Sequence, residues 1–275
     1  MSATADDAPS REFFDRSYRA SPDELSREIR AAAFGEDIGQ FSWTTADEHR
    51  RFQRQLGIDS ESHVLDVACG SGGPALFMAR ETGCRVTGID IHADGVEAAN
   101  VAAEREALGD RAAFLVHDAR EPLLFEDEMF DAVVSIDSIN HVFGRGPMFA
   151  EWVRVLRPGG RVLYTDAVVV TGQLTREEVL ARSPSMGEFV FTPYGADEPL
   201  LHEAGFVDVE IEDVTDGIVA VTGSWHAARE RRARELDETE GPAANASFQA
   251  FLAAVHVLSS ERRLSRLAYF ARKPG

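Results

Sequence analysis

Three features are scarce in this sequence: long apolar runs, cysteine and lysine. No apolar run approaches the about 18–20 residues that a membrane-spanning helix requires, and the N-terminal segment lacks the basic and apolar regions of a signal peptide. The two cysteines, Cys69 and Cys84, are too few for a disulfide framework and lack the spacing of a zinc site. We therefore expect one cytoplasmic domain, residues 1–275, with free thiols and no metal.

Positive charge is also scarce, because Lys273 is the only lysine and acidic residues dominate. The 47 Asp and Glu residues against 28 Lys and Arg residues give a formal net charge of −19. Nucleic acids and anionic membranes bind clustered positive charge, so we expect neither as a partner. The charge does not identify a ligand, and the sequence leaves open whether the protein is a monomer or a homodimer.

Short apolar strands alternate with helices from residue 63 onward. The pattern predicts strands at 63–68, 85–90, 112–118, 130–136 and 161–170, with helices near 74–81, 94–108 and 147–156. This alternation is typical of a parallel sheet that is covered by helices on both faces. The sequence therefore predicts a doubly wound, Rossmann-like α/β domain.

Two segments lie outside this alternation. Residues 21–56 contain two short helical patterns, which we expect to form an N-terminal helical lid. After a strand at 206–214, a long helix-prone stretch, 223–261, precedes the last strand at 265–272. An ordinary crossover helix needs far fewer residues, so we interpret 223–261 as a helical cap that is inserted before the last strand.

The most informative segment is VLDVACGSGG, residues 64–73, an apolar strand that ends in a glycine-rich turn. Glycines at a strand-to-helix turn let the backbone approach a ligand closely, and the helix N-terminus offers free N–H groups. Asp90 ends the next strand, where a carboxylate can accept both hydroxyl groups of a ribose. Asp118 ends the third predicted strand and faces the same crevice.

The spacing of Gly70, Gly72 and Asp90 alone also fits an NAD-binding fold, so it does not choose between cofactors. The charge of Asp66, at the end of the first strand, would oppose a pyrophosphate but would suit an ammonium or sulfonium group. An NAD-dependent oxidoreductase therefore remains an alternative that Asp66 disfavours.

Five segments of the chain together match one family of enzymes. The segments VLDVACGSGG (64–73), GID (88–90), HDA (117–119), FDAVVSID (130–137) and LRPGG (156–160) occur in the order and spacing of class I S-adenosylmethionine-dependent methyltransferases, which the chain resembles over residues 60–170. The resemblance implies a seven-stranded sheet with an antiparallel last strand. It also implies that residues 60–170 form a cofactor-binding core and that S-adenosylmethionine is the cofactor.

The same resemblance assigns roles to individual residues. Asp66 with the backbone of Gly70 and Gly72 would hold the methionine end, Asp90 the ribose, and Asp118 with Ala119 the adenine. Further cofactor contacts are expected from Ser42, Trp43, Ala68, Ile91, Ser135 and Asp137. A catalytically silent adenosylmethionine-binding module remains possible at this point, because binding motifs do not establish chemistry.

The outer parts of the chain resemble a narrower group, which methylates sarcosine, dimethylglycine or phosphoethanolamine. SIDSINH (135–141) and the pair Thr165–Asp166 are among the segments that carry this resemblance. Arg30 stands where the phosphobase enzymes have a tyrosine, which argues against a phosphobase acceptor. We therefore expect a small-molecule acceptor, with N-methylation slightly ahead of O- or C-methylation.

The predicted acceptor contacts are His141, Asp166, Phe189 and Tyr194. His141 is the predicted catalytic base, because the unperturbed imidazole titrates near pH ~6.5. Asp137 lies four residues earlier and would share a face with His141 if the two were in one helical turn. The sequence therefore predicts that Asp137 orients the imidazole or faces the cofactor.

Overall fold

The computed structural model describes residues 13–15, 17–18, 23–182 and 189–275. The strands are β1 (His63–Val67), β2 (Arg85–Asp90), β3 (Ala112–Val116), β4 (Phe130–Ile136), β5 (Leu156–Val170), β6 (Thr192–Pro193), β7 (Val207–Asp213) and β8 (Leu264–Arg272). The helices are α1 (Glu24–Phe34), α2 (Ala46–Leu56), α3 (Gly73–Thr82), α4 (Ala93–Arg105), α5 (Arg145–Val155), α6 (Arg176–Arg182), α7 (Asp197–Ala204), α8 (Thr215–Arg231), α9 (Ala233–Thr239) and α10 (Pro242–Ser260).

One mixed sheet organises the chain in the order β3-β2-β1-β4-β5-β8-β7. The strands from β3 to β5 pair in parallel, whereas β8 runs antiparallel to both β5 and β7. The predicted doubly wound sheet with an antiparallel last strand is confirmed. The structure adds β6, a two-residue strand that pairs in parallel with the end of β5 and is too short to leave a sequence pattern.

The central strands are apolar because helices cover both of their faces. All five residues of β1 are buried. Phe149 and Trp152 of α5 pack in the core on one face of the sheet, and Phe52 of α2 with Met78 of α3 packs in the core on the other. This burial fixes the sheet and leaves the carboxyl ends of β1, β2 and β4 as the open edge of the core.

Local sequence explains where the helices and turns around this edge begin. Thr45 caps α2, since its hydroxyl oxygen accepts a hydrogen bond from the Glu48 N–H at 3.2 Å. Gly72 caps α3 in the left-handed conformation, and Pro74 occupies the first turn of that helix. The LRPGG segment (156–160), which precedes the predicted strand at 161–170, is part of β5, and the pairing register of β5 with β4 shifts there.

A third apolar cluster joins the N-terminal helices to the helices before β8. Ile29 and Phe34 of α1 pack with Trp225 of α8 and Phe251 of α10. The inserted helical segment begins at Thr215, earlier than the predicted 223, and ends at Ser260. Residues 21 and 22 of the predicted lid lie outside the described residues. In the part of the chain that the structure describes, no helix is long and apolar enough to cross a membrane.

Candidate active site

A cavity of about 380 Å³ opens at the carboxyl ends of β1, β2 and β4. Most of the residues predicted to bind cofactor or acceptor line it. They are Ser42, Trp43, Asp66, Ala68, Gly70, Asp90, Ile91, Asp118, Ala119, Asp137, His141 and Phe189. The structure therefore brings together side chains that are spread over about 150 positions of sequence, as expected at the switch point of a doubly wound sheet.

The glycine-rich turn is built for close backbone approach. Ala68, Gly70 and Gly72 have positive φ values of 61°, 56° and 75°. A Cβ atom at Gly72 would lie 2.6 Å from the Cβ of Ala99, so this position requires glycine for space as well as for conformation. Gly72 supports the turn from beneath and does not line the cavity, in contrast to Gly70.

Asp90 holds this turn in place. Its Oδ2 accepts a hydrogen bond from the Gly70 N–H at 2.7 Å, and its Oδ1 accepts one from the His92 N–H at 2.8 Å. Burial raises the pKa of Asp90, and the two N–H donors oppose that shift. Each carboxylate oxygen has a second lone pair, so Asp90 can still accept hydrogen bonds from the hydroxyl groups of a ribose.

Asp66 is a buried carboxylate beside Asp90. Burial, followed by the charge of Asp90, raises the pKa of Asp66 to about 8. None of the described residues donates a hydrogen bond or an ion pair to it. Burial without a partner disfavours the ionised form of Asp66, and a cationic ligand group beside it would stabilise that form. This unpaired carboxyl group therefore fits S-adenosylmethionine, whose methionine end carries an ammonium group and a sulfonium.

Asp118 lies on the other side of the cavity, next to Ala119. Its Oδ2 accepts a hydrogen bond from Arg120 Nη2 at 2.7 Å, and its Oδ1 accepts one from the Arg120 N–H at 2.9 Å. Burial alone would raise the pKa of Asp118, but the Arg120 guanidinium and N–H hold it below its ordinary value. Asp118 is therefore an ionised acceptor at the predicted adenine end.

Asp137 is bound by three donors. Its Oδ1 accepts hydrogen bonds from Thr165 Oγ1 at 2.7 Å and Arg266 Nε at 2.8 Å, and its Oδ2 accepts one from the Trp43 N–H at 2.9 Å. Its φ of 54° separates it from the 3₁₀ turn Ile139–His141, so Asp137 and His141 do not share one helical turn. These contacts correct the prediction that Asp137 acts on the imidazole, because its charge is committed to Arg266.

His141 lies in an aromatic part of the cavity. Its ring centroid is 4.7 Å from that of Phe189 and 5.8 Å from that of Phe14. The side chain is half-buried and ends the 3₁₀ turn Ile139–His141, five residues after the end of β4. His92 also lines the cavity, but it is paired with Asp15, with Nδ1 and Oδ1 2.8 Å apart. The structure thus places the His141 imidazole against two phenyl rings on the cavity wall.

Three other predicted residues do not reach the cavity. Ser135 is fully buried and donates a hydrogen bond to the Val67 carbonyl at 2.9 Å, which joins β4 to β1. Asp166 is also fully buried and accepts a hydrogen bond from Arg145 Nη2 at 2.7 Å. Tyr194 is 65% exposed on the turn after β6. The predictions of a cofactor contact for Ser135 and of acceptor contacts for Asp166 and Tyr194 are therefore not supported.

The sequence predicted no role for the residues before 21, and the contribution of Phe14 and Tyr18 was therefore missed. Phe14 and Tyr18 line the cavity, and the ring of Tyr18 lies against Gly70. Burial raises the pKa of Tyr18, which keeps the phenol neutral. The available signal was the spacing of Phe14 and Tyr18, two aromatic residues one helical turn apart, with Phe13 as a third ring beside them.

Comparisons with known proteins agree with this geometry. The family described as "Methyltransferase domain" matches residues 64–160. The 27-O-demethylrifamycin SV methyltransferase of Amycolatopsis mediterranei is 33% identical over 230 residues, which cover 82% of this chain and 82% of that protein.

Two solved structures share the fold. Phosphoethanolamine N-methyltransferase 2 of Haemonchus contortus, in complex with phosphomonomethylethanolamine and S-adenosylhomocysteine, superposes with a TM-score of 0.80 at 23% identity, over 96% of this chain and 60% of that one. The cyclopropane synthase MmaA2 of Mycobacterium tuberculosis superposes with a TM-score of 0.80 at 15% identity, over 96% of this chain and 98% of that one. These identities establish the fold alone.

Proposed function

Because this chain belongs to the S-adenosylmethionine-dependent methyltransferases, we propose that it methylates a hydroxyl oxygen of an uncharged small molecule with His141 as the general base. S-adenosylmethionine is its cofactor, and this assignment excludes the NAD-dependent alternative. The observation that supports His141 as the general base is its position among aromatic rings on the wall of the cavity.

The cofactor, when bound, supplies a methyl group that its sulfonium has already activated. Asp66 would hold its ammonium group, the Gly70 backbone its methionine end, and Asp90 its ribose. An imidazole nitrogen of His141 would accept the proton of the acceptor hydroxyl as the new C–O bond forms and the C–S bond breaks. The rings of Phe14 and Phe189 pack against the imidazole and shield part of it from water.

Two observations bear on the acceptor atom. The relative from Amycolatopsis, similar over most of both chains, is named for an O-methylation, which supports oxygen. Nitrogen, which the sequence slightly favoured, is the second candidate, because the rings of Phe14, Phe41 and Phe189 could bind a cationic amine through their faces. The relatives do not favour nitrogen over oxygen.

A panel of neutral alcohols, phenols, amines and carboxylates with radiolabelled S-adenosylmethionine tests the acceptor class. We expect methyl transfer to neutral hydroxyl compounds and not to aliphatic amines. Methylation of amines alone would show that the acceptor atom is nitrogen and not oxygen. Transfer to none of them, despite binding of S-adenosylhomocysteine in calorimetry, would contradict both.

The role of His141 is tested with the best acceptor from that panel. His141→Ala should lower kcat by about 10²–10⁴-fold, as expected for loss of a general base, and should leave S-adenosylhomocysteine affinity nearly unchanged. His202→Ala, an exposed histidine on α7, is the matched control. Recovery of kcat in His141→Gln, or a loss within about threefold in His141→Ala, would show that the imidazole is not a base.

We further propose a cytoplasmic location and a small-molecule acceptor, without nucleic-acid or membrane partners. The net charge of −19 supports the absence of nucleic-acid and membrane partners, since phosphate-rich surfaces repel an acidic protein. Residues 21–56 and 223–261 are proposed to close the acceptor side as a lid and a cap around the core at 60–170. Phe41 and Phe251, from these two segments, line the cavity and support this division.

A further inference from the structure

A second, smaller chamber lies behind the N-terminal aromatic residues. Its volume is about 100 Å³, and α1, the loop after α1 and the helices α8 to α10 form its walls. Tyr18, Phe41 and Ser71 line both this chamber and the main cavity. The chamber is therefore next to the proposed methyl-transfer site and separated from it by the side chains of Tyr18 and Phe41.

The walls of this chamber are mainly aromatic and aliphatic, and Ser17, Ser26 and Ser71 add hydroxyl groups to the lining. Trp225 and Phe248 are buried, and their ring centroids lie 5.4 Å apart. The ring of Phe41 lies 5.9 Å from that of Trp225 and 6.4 Å from that of Phe248. Ile29 and Leu236 complete the apolar surface. Such a lining gains free energy by removing apolar ligand surface from water.

The charges in the wall are already neutralised. Arg30 pairs with Asp37, with Nε and Oδ1 2.6 Å apart, and Arg229 pairs with Glu240, with Nη2 and Oε2 2.6 Å apart. A charged ligand group would thus lose its hydration without finding a free counter-ion among the described residues. A chamber lined in this way would disfavour a charged ligand of either sign.

Arg229 nevertheless has one N–H group that could donate a hydrogen bond to a ligand. It is 6% exposed, its guanidinium lies 4.6 Å from the centre of the Phe248 ring, and Nη2 also donates to Asn245 at 3.0 Å. Its Nε is buried and has no hydrogen-bond partner among the residues described. A buried N–H without a partner favours a ligand that brings an acceptor oxygen to it.

We propose that this chamber binds the remote part of the methyl acceptor, and that the acceptor is an elongated, uncharged and mainly apolar molecule with a carbonyl, ether or hydroxyl oxygen for Arg229. This inference rests on the proposed function, since the reacting end of the same molecule lies beside His141. It adds a specificity site, remote from the reacting atoms, that selects for length and neutrality.

The test uses two naphthalene probes of nearly the same shape. N-phenyl-1-naphthylamine is neutral, and 1-anilinonaphthalene-8-sulfonate is its anionic counterpart. Each is titrated by fluorescence into the full chain at saturating S-adenosylhomocysteine. We expect the neutral probe to bind at least about tenfold more tightly than the anionic one. Equal or tighter binding of the sulfonate would overturn the uncharged class of acceptor.

Two variants fill the chamber from opposite walls, Ala244→Phe on α10 and Ser26→Phe on α1. Ala250→Phe, on an exposed position of α10, is the matched control. Thermal melts select the filling variants that fold. We expect at least about tenfold weaker binding of the neutral probe in a folded filling variant, and a change within about twofold in the control.

Binding of S-adenosylhomocysteine separates the remaining outcomes. Its affinity should stay within about twofold of the parent in all variants. A loss of that affinity in the filling variants would assign the chamber to the cofactor and overturn the proposal, as would unchanged binding of the neutral probe. Absence of S-adenosylhomocysteine binding in the parent chain would instead contradict the proposed function itself.

Discussion

At the scale of single residues, the site depends on carboxylates that the fold places in water-poor surroundings. Asp66 and Asp90 are both buried at neighbouring strand ends, and burial raises the pKa of each. Asp90 is compensated by two backbone N–H groups, whereas Asp66 is left without a donor among the described residues. This difference suits Asp90 to hold the loop and Asp66 to receive a cation.

Asp66 should make the ligand-free protein less stable as the pH rises. Its pKa is about 8 in the fold, against about 3.9 for an unfolded aspartate, so the folded state binds the extra proton between these values. The Asp66 contribution to stability is therefore present near pH 4 and is lost as the pH rises towards 8. We expect Asp66→Asn to melt above the parent at pH 8, by at least about 2–4 °C, with the difference shrinking towards pH 5.

The same variant supplies a second readout. Because a neutral amide cannot compensate the charge of an ammonium or sulfonium group, S-adenosylmethionine should bind at least about tenfold more weakly to Asp66→Asn in calorimetry. A melting difference that is constant from pH 5 to pH 8 would contradict the buried, unpaired state of Asp66. Unchanged affinity would remove its assignment to the methionine end.

At the scale of elements, one buried arginine joins three parts of the chain. Arg266 of β8 pairs with Asp137 after β4 and with Glu48 of α2, at 2.8 and 2.7 Å, and it is fully buried. It also donates to Thr44 Oγ1 at 2.6 Å. Burial, and then the Arg266 charge, lower the pKa of the neighbouring His49 to about 4, so His49 stays neutral. The antiparallel last strand thereby fixes the loop that carries Trp43.

Removing that arginine should therefore destabilise the fold strongly. Arg266→Met leaves the Asp137 charge buried without its partner, and we expect a loss of about 3–5 kcal/mol in the free energy of unfolding. Arg272→Met on the same strand is the control, because its pair with Asp208 is exposed and should contribute at most about 1 kcal/mol. Urea unfolding followed by circular dichroism measures both. Equal losses would mean that the Arg266 pairs add no more than a surface ion pair.

The sequence predicts some of these elements better than others, for physical reasons. The unit β1, glycine turn and α3 is predictable because its apolar run, positive-φ glycines and Pro74 act within a few residues. The partner of Asp166 is not, because Arg145 precedes it by 21 positions and is brought to it only by the packing of α5 on β5. The role of Tyr18 is not predictable for the same reason, since its ring comes into contact with Gly70 only in the folded chain.

Hydrogen exchange tests the two segments that we propose to close the site. Residues 34–43, the part of the lid that lines the site, and residues 223–261 of the cap supply wall residues to both the cavity and the chamber. Both segments should therefore gain protection when S-adenosylhomocysteine and N-phenyl-1-naphthylamine are bound together. Peptides from β7, at the far edge of the sheet, serve as the internal control. If neither segment slows its exchange, the assignment of lid and cap fails.

At the scale of the whole molecule, the excess of acidic residues opposes the compact state. The formal net charge of −19 at pH 7 is carried by 275 residues, so like charges repel one another across the surface. Exposed pairs such as Arg234–Glu238, with atoms 3.3 Å apart, offset this only locally, since each contributes about 0–1 kcal/mol. Long-range repulsion should therefore dominate the response of the protein to salt.

We accordingly expect sodium chloride to raise the melting temperature at pH 7.5. The Debye length falls to about 10 Å at 0.1 M and about 3 Å at 1 M salt, which screens distant repulsion more than it screens ion pairs in contact. At pH 5, near the pI of about 4.8, the net charge is close to zero and the same salt series should leave the melting temperature nearly constant. Calorimetric scans over both series measure the difference. A melting temperature that falls with salt at pH 7.5 would mean that local arginine–carboxylate pairs outweigh the net charge.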